Sequence, residues 1–295
     1  MKNLLTHTES LMNHVYWFRQ DFNIQPRKKH IGTTINYTDI FDREEDFLRE
    51  LVNTISGWVY SKTKAKQIVD ERILQTNGDP QNAYSFLTTQ AFSKFRPGHP
   101  QGQFGELLLF NFIQFFFKAV PLLRKQPIAT SVGHERFGAD AIHYRENGDE
   151  HHIILGESKC YKSKYKFNNA FKESLNSIVK TVMEFNNEMN LYTYDDFLEP
   201  ELEDIAKQYK RNTLKNIRFE FVCLIAYNED RDFKGNDEEE MKQSIRDVIQ
   251  NRCASFDVNH FKSINQNILN RINYIIFPIK KLDSLLDKFQ KQIGI

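Results

Sequence analysis

The order of predicted elements specifies a mixed α/β protein: a mixed sheet flanked by helices, preceded by a mainly helical N-terminal region. Three observations carry this expectation. From residue 103 the periodicities read helix, paired strands, helix, strand, helix, strand, helix. Strands separated by helices return to one sheet and place the helices on its faces. Two runs, Ile217 to Tyr227 and Ile272 to Ile279, are β-branched, aromatic and bounded by polar residues, the pattern of buried strands. The stretch Arg96 to Gly102 holds Pro97, Gly98, Pro100 and Gly102, which marks a boundary between residues 1–98 and 99–295.

In the N-terminal part, Phe47, Leu48, Leu51, Val52, Ile55, Trp58 and Val59 recur at helical spacing, so Arg43 to Tyr60 reads as an amphipathic helix. Thr76-Asn77-Gly78-Asp79-Pro80 breaks structure, and Asp79 or a neighbour is placed to cap a following helix. Past the boundary, Gln103 to Lys118 reads as a buried helix, with Pro121 just beyond its end. Ala139 to Arg145 and His151 to Leu155 flank Asn147-Gly148, a hairpin signal because both residues tolerate positive φ. Asn168 to Phe185 is amphipathic, with Phe171, Leu175, Ile178, Val179 and Val182 on one face. Asp237 to Leu269 is mostly helical, and Leu282 to Gln292 is a closing helix.

The chain has 295 residues, 40% of them hydrophobic, which supports a sizeable core. No run reaches the ~18 apolar residues that a membrane span needs, and Met1 to Ser10 lacks the apolar region of a secretory signal. Three cysteines without ligand spacing argue against a disulfide framework. The expectation is a cytoplasmic bacterial protein with no membrane partner. A net charge of +1 excludes binding to nucleic acid through a global basic surface, so such binding must come from a local patch. The absence of a Gly-x-x-x-x-Gly-Lys loop argues against a P-loop ATPase.

The candidate chemistry lies in Glu106, Asp140, Glu157 and Lys159. Glu106 is in the first turn of the Phe-rich helix, Asp140 at the start of a hairpin strand, and Glu157-Ser158-Lys159 after the apolar run His-Ile-Ile-Leu-Gly. Alternation along a strand puts Glu157 and Lys159 on one face, about 7 Å apart. A turn at Asn147-Gly148 pairs residues whose numbers sum to about 295, which sets Asp140 near position 155. Carboxylates at 106, 140 and 157 suit a hard, oxygen-liking ion such as Mg²⁺ or Mn²⁺. Such an ion polarises phosphorus and acidifies a bound water. Lys159 would either orient or deprotonate that water, or stabilise charge developing on the phosphate.

Glu-x-Lys alone is a weak signal: Glu240-Met241-Lys242 repeats it in an acidic helical stretch, where it reads as a surface charge pattern. A purely structural reading of Glu157 and Lys159 is an ion pair at a strand end, with Asp140 as a turn residue. The segment after the motif holds Lys162, Lys164 and Lys166 to neutralise phosphates, with Tyr161 and Tyr165 to stack on bases. The bland alternative is a solvated basic loop. His151 and His152 have no partner at ligand spacing, His134-Glu135 could only support the site from outside, Ser158 faces away from Glu157, and Cys160 reads as a small core residue.

The arrangement Glu106, Asp140, Glu157-Ser158-Lys159 resembles the PD-(D/E)xK nuclease superfamily over about residues 103 to 280. Ala139 stands where the superfamily name has proline. The Phe-Gly-Ala-Asp and Gly-Glu-Ser-Lys segments are similar, more specifically, to the HamA family, effectors of Hachiman antiphage systems. The resemblance implies a restriction-endonuclease-like core and DNA cleavage dependent on Mg²⁺ or Mn²⁺. It also implies regulation by HamB, a superfamily 2 helicase, with the N-terminal region forming part of the helicase-binding surface. Two other readings are a free-standing restriction-type endonuclease and a non-catalytic nucleic-acid or partner-binding module on the same fold.

Overall fold

The structure is a computed structural model that describes all residues except 1, 7, 39–40, 97–99, 125–137, 164–166, 193–197 and 199. Its strands are β1 (Val15–Gln20), β2 (His30–Ile35), β3 (Tyr37–Thr38), β4 (Phe41–Asp42), β5 (Val120–Leu123), β6 (Ala141–Asn147), β7 (Glu150–Tyr161), β8 (Ile217–Asn228) and β9 (Ile272–Ile279). Its helices are α1 (Glu9–Met12), α2 (Glu44–Asn53), α3 (Ile55–Val59), α4 (Lys62–Gln75), α5 (Pro80–Phe92), α6 (Pro100–Phe117), α7 (Phe167–Tyr192), α8 (Pro200–Lys210), α9 (Glu238–Ala254), α10 (Asn259–Lys262), α11 (Gln266–Leu269) and α12 (Leu282–Ile293). No helix among the described residues is long and apolar enough to cross a membrane.

Seven strands form one mixed sheet in the order β1-β2-β9-β8-β7-β6-β5. The centre is parallel, β7 to β8 to β9 to β2, and the margins β1 and β6–β5 are antiparallel. Helices cover both faces, so the central strands are apolar on both sides. Cys223, Ile225 and Tyr227 of β8 pack in one core with Phe171, Leu175 and Ile178 of α7. Val222, Leu224 and Ala226 pack in the opposite core with α6 and α12. The mixed α/β expectation is borne out.

The N-terminal region is helical in α1 to α5, but it also supplies β1 and β2, so the sheet runs across the expected boundary at residue 98. The helix expected over Arg43 to Tyr60 is broken in two at Thr54. There the Thr54 hydroxyl donates to the Leu51 carbonyl and accepts from Asn111 of α6 at 2.9 Å. A buried tertiary bond thus overrides helical periodicity. Asp79 caps α5 as expected, accepting from Asn82 N–H at 3.0 Å, with Pro80 at the first helical position.

The hairpin register needs correction. Ala141 pairs with Gly156 and Asn147 with Glu150, so the turn is Gly148-Asp149 and the paired numbers sum to 297 rather than 295. Gly148 has φ 61° while Asn147 is outside the left-handed region, the distribution of a turn with glycine at its first central position. The two-number shift preserves facing and moves Asp140 from position 155 to the neighbourhood of Glu157.

Gly156 lies beneath the side chains of Leu109 and Ile113 of α6. A Cβ there would sit 2.9 Å from both Ile113 Cδ1 and Leu109 Cδ2 and 3.2 Å from Ala141 Cβ. We expect Gly156→Val to destabilise the chain by about 1–3 kcal/mol through overpacking, with Gly156→Ala costing less. Urea unfolding of the two variants checks this; a Val variant with wild-type midpoint and slope would contradict it.

Candidate active site

Strand alternation decides which side chains meet. Ile153 and Leu155 of β7 face the α7 core, so Glu157 and Lys159 face it too. Ile154 faces the α6 core, and Ser158 and Cys160 share its side. Glu157 is only 2% exposed. Its Oε2 accepts from Ser177 Oγ at 2.7 Å and its Oε1 from Thr181 Oγ1 at 2.7 Å. Lys159 Nζ lies 3.7 Å from Glu157 Oε2. The ion pair expected of a purely structural site is therefore present.

That reading does not call for a second carboxylate, and Asp140 provides one. Its N–H donates to the Gly156 carbonyl at 2.9 Å, which extends the hairpin pairing past β6. Its Oδ2 accepts from Ser158 N–H at 2.8 Å and Ser158 Oγ at 3.2 Å. Ser158 is thus a donor to Asp140, a role the sequence reading did not give it. The Glu157 carboxyl is pushed up to about 7, first by burial and then by the charge on Asp140, against the opposing pull of Lys159, Ser177 and Thr181. Two acidic groups that repel inside a protein form a site at which a cation relieves strain in the charge distribution.

Glu106 comes from the opposite face. Gly105 lets the start of α6 lie on β7, since a Cβ there would meet Ser158 Oγ at 3.2 Å and Cys160 Cβ at 3.3 Å. Gln101 donates to the Cys160 carbonyl and anchors the same turn. Further along, Phe110 packs its ring 5.5 Å from His143 of β6. Glu106 precedes Phe110 by four residues, about 6 Å of helix rise. That is about two residues of strand, which brings half-buried Glu106 to the level of Asp140 and Ala141. Among the described residues, no three His, Cys, Asp or Glu side chains stand close enough to hold a metal ion as they are. Asp140 and Glu157 stand beside each other, and half-buried Glu106 approaches the sheet from the α6 side without closing a cage.

The rest of the expected site is less concentrated. Tyr161 donates to Glu173 on α7, and Lys162 pairs with Asp283 of α12 at 2.9 Å. Lys164, Tyr165 and Lys166 lie outside the described residues, as do His134 and Glu135. His151 Nδ1 bonds the Tyr144 hydroxyl and His152 Nδ1 bonds Glu220, both at 2.5 Å, at the turn end of the hairpin. Cys160 is buried in the α6 core, the small core residue expected, and burial pushes its thiol up to about 12. Lys242 of the decoy motif pairs with Glu238 and Glu239 of its own helix. Ser177 and Thr181 were missed. Their signal was hydroxyls at four-residue spacing on the apolar face of the helix expected over Asn168 to Phe185.

The unfolded Glu157 carboxyl titrates near 4.5 and the folded one near 7, so the folded chain binds the extra proton between these values. The stability this proton confers is fully present below 4.5 and is lost as pH rises through 7. Glu157→Gln has no such proton to lose. In buffer with chelator, we expect its melting temperature to rise relative to wild type between pH 5 and 8. Parallel stability curves would contradict this.

A comparison with curated proteins gives no match. The sequence matches the HamA family model over residues 12–293, which includes every element from β1 to α12. A match of that extent shows the family: the chain belongs to the HamA family, a component of Hachiman antiphage defence.

Proposed function

We propose that the chain is a metal-dependent deoxyribonuclease that hydrolyses phosphodiester bonds as the effector of its defence system. The observation that carries this is Glu157, a carboxylate buried beside a second carboxylate and a lysine at the end of a hairpin strand. The donor set fits a hard divalent ion: carboxylate oxygens, and two acidic groups whose mutual repulsion the ion would offset. Asp140 and Glu157 would hold Mg²⁺ or Mn²⁺, with Glu106 the third carboxylate of the set. When bound, the ion supplies charge to a phosphate oxygen and acidity to a water.

The chain's own groups do the remaining work. Ser158 fixes Asp140 through two donors from one residue, so its second oxygen keeps a set direction. Lys159 is a quarter exposed, with its ammonium between Glu157 and solvent, where it can meet an incoming phosphate or a water. Burial beneath α7 keeps water from the back of Glu157. Lys162, Lys164 and Lys166, with Tyr161 and Tyr165, supply in this proposal the charge and rings that suit a DNA backbone and its bases. Regulation by a partner helicase is part of the proposal and is supported by membership of a defence-system family. The α4–α5 hairpin supports a partner-facing role for the N-terminal region. It has its own small core of Val69, Ala83 and Leu87, and it leaves Leu74 82% and Tyr84 62% exposed.

The test is cleavage of DNA by the purified chain together with its helicase partner, with Mg²⁺ or Mn²⁺ and with chelator. Glu157→Ala, Asp140→Ala and Lys159→Ala are each expected to lower the rate by about 10²–10³-fold with folding intact, and chelator to abolish it. Full cleavage by the Glu157 and Lys159 variants would overturn the nuclease reading. Discrete fragments from the isolated chain would instead favour a free-standing endonuclease.

A further inference from the structure

Along the core-facing side of α7 the apolar positions Phe171, Leu175, Ile178 and Phe185 are interrupted by Ser174, Ser177 and Thr181. Hydroxyls on a buried helix face need acceptors. Thr181 is 3% exposed and Ser174 is fully buried. Ser177 and Thr181, one turn apart, find theirs in the two oxygens of one carboxylate, at 2.7 Å each. A single bond would leave the Glu157 carboxylate free to rotate about its last torsion, which is broad and soft. Two bonds from one rigid helix fix both the plane and the direction of its remaining lone pairs. Each carboxylate oxygen has two lone pairs, so each keeps one on the side away from α7.

We propose that Ser177 and Thr181 are positioning residues that orient Glu157 as a ligand for the divalent ion. This rests on the metal-site reading above. Partners of this kind, which bond a ligand without touching the ion, commonly set metal affinity by 10–100-fold. The role of α7 is then to hold a ligand as well as to cover the sheet, and the serine and threonine act through Glu157 rather than on substrate.

The test is Mn²⁺ titration by calorimetry on the full chain, with no DNA and no activity readout. Ser177→Ala with Thr181→Val, which keeps the threonine shape, is expected to weaken Mn²⁺ binding at least 10-fold while the metal-free chain still melts in one cooperative transition. Thr181→Ser, which keeps the hydroxyl, is expected to bind like wild type. Ser174→Ala, whose hydroxyl makes no bond to Glu157, is expected to do the same. Wild-type affinity in the double variant would overturn the positioning role and leave the metal reading standing. An equal loss in Ser174→Ala would also overturn it, as a general effect on the helix. No Mn²⁺ binding by the wild-type chain would overturn the metal reading, and the positioning role with it. If the double variant fails to fold, Ser177→Ala alone decides by the same two outcomes, since Ser177 is only half-buried.

Discussion

A carboxylate at 2% exposure in the contact between a sheet and a helix costs several kcal/mol unless donors surround it. Glu157 therefore constrains everything near it. It requires α7 to lie across β7 at one rotation, with Ser177 and Thr181 turned inward, and it requires Lys159 to stay within reach. The same rotation places Phe171, Leu175 and Ile178 in the core beside Cys223 and Ile225. Packing and polar satisfaction agree on a single seating of the helix, and consistency of this kind selects one fold from its competitors.

The register of β7 carries a second constraint. The strand uses one face for Glu157 and Lys159 and the other for Ser158 and Cys160, where α6 arrives. A slip of one residue would send Glu157 into the Phe-rich core around α6 and Ser158 toward α7. Gly148 in the turn, Gly156 under α6 and Gly105 at its start hold the register, each where a side chain would collide or the backbone needs positive φ. Asp140 joins the site only because this register brings it to Ser158. Its Oδ2 takes both bonds from Ser158, whose side chain lies on the face opposite Glu157.

Much of this was legible in the sequence, for physical reasons. β8 and β9 announce themselves as continuous apolar runs because both faces are covered. Glu157 and Lys159 share a face by alternation alone. The turn was misplaced by one residue because Asn147-Gly148 and Gly148-Asp149 are both acceptable pairs locally, and the choice is made by packing along the whole hairpin. The break at Thr54 depends on Asn111, 57 residues away, and no local pattern encodes it. The strand β2, His30-Ile-Gly-Thr-Thr-Ile35, is buried throughout yet reads as half polar, because Thr34 donates to the carbonyl of Pro278 across the sheet. Ser177 and Thr181 were visible as residues, but their meaning required knowing which carboxylate lay opposite.

The two ends of the chain meet in the sheet. β2 pairs with β1 on one side and with β9 on the other, so its second partner is made 244 residues after it. During synthesis on the ribosome the β1–β2 hairpin emerges early and must wait, with one edge open, for nearly the whole chain. Pairings of such sequence separation are slow to form and expose an edge meanwhile. The strands β6 and β7 that carry the candidate site are finished long before, but the sheet that holds them is not closed until residues 272–279 arrive. A truncated or half-made copy therefore lacks a closed sheet, so whatever a finished defence component does waits on the last strand.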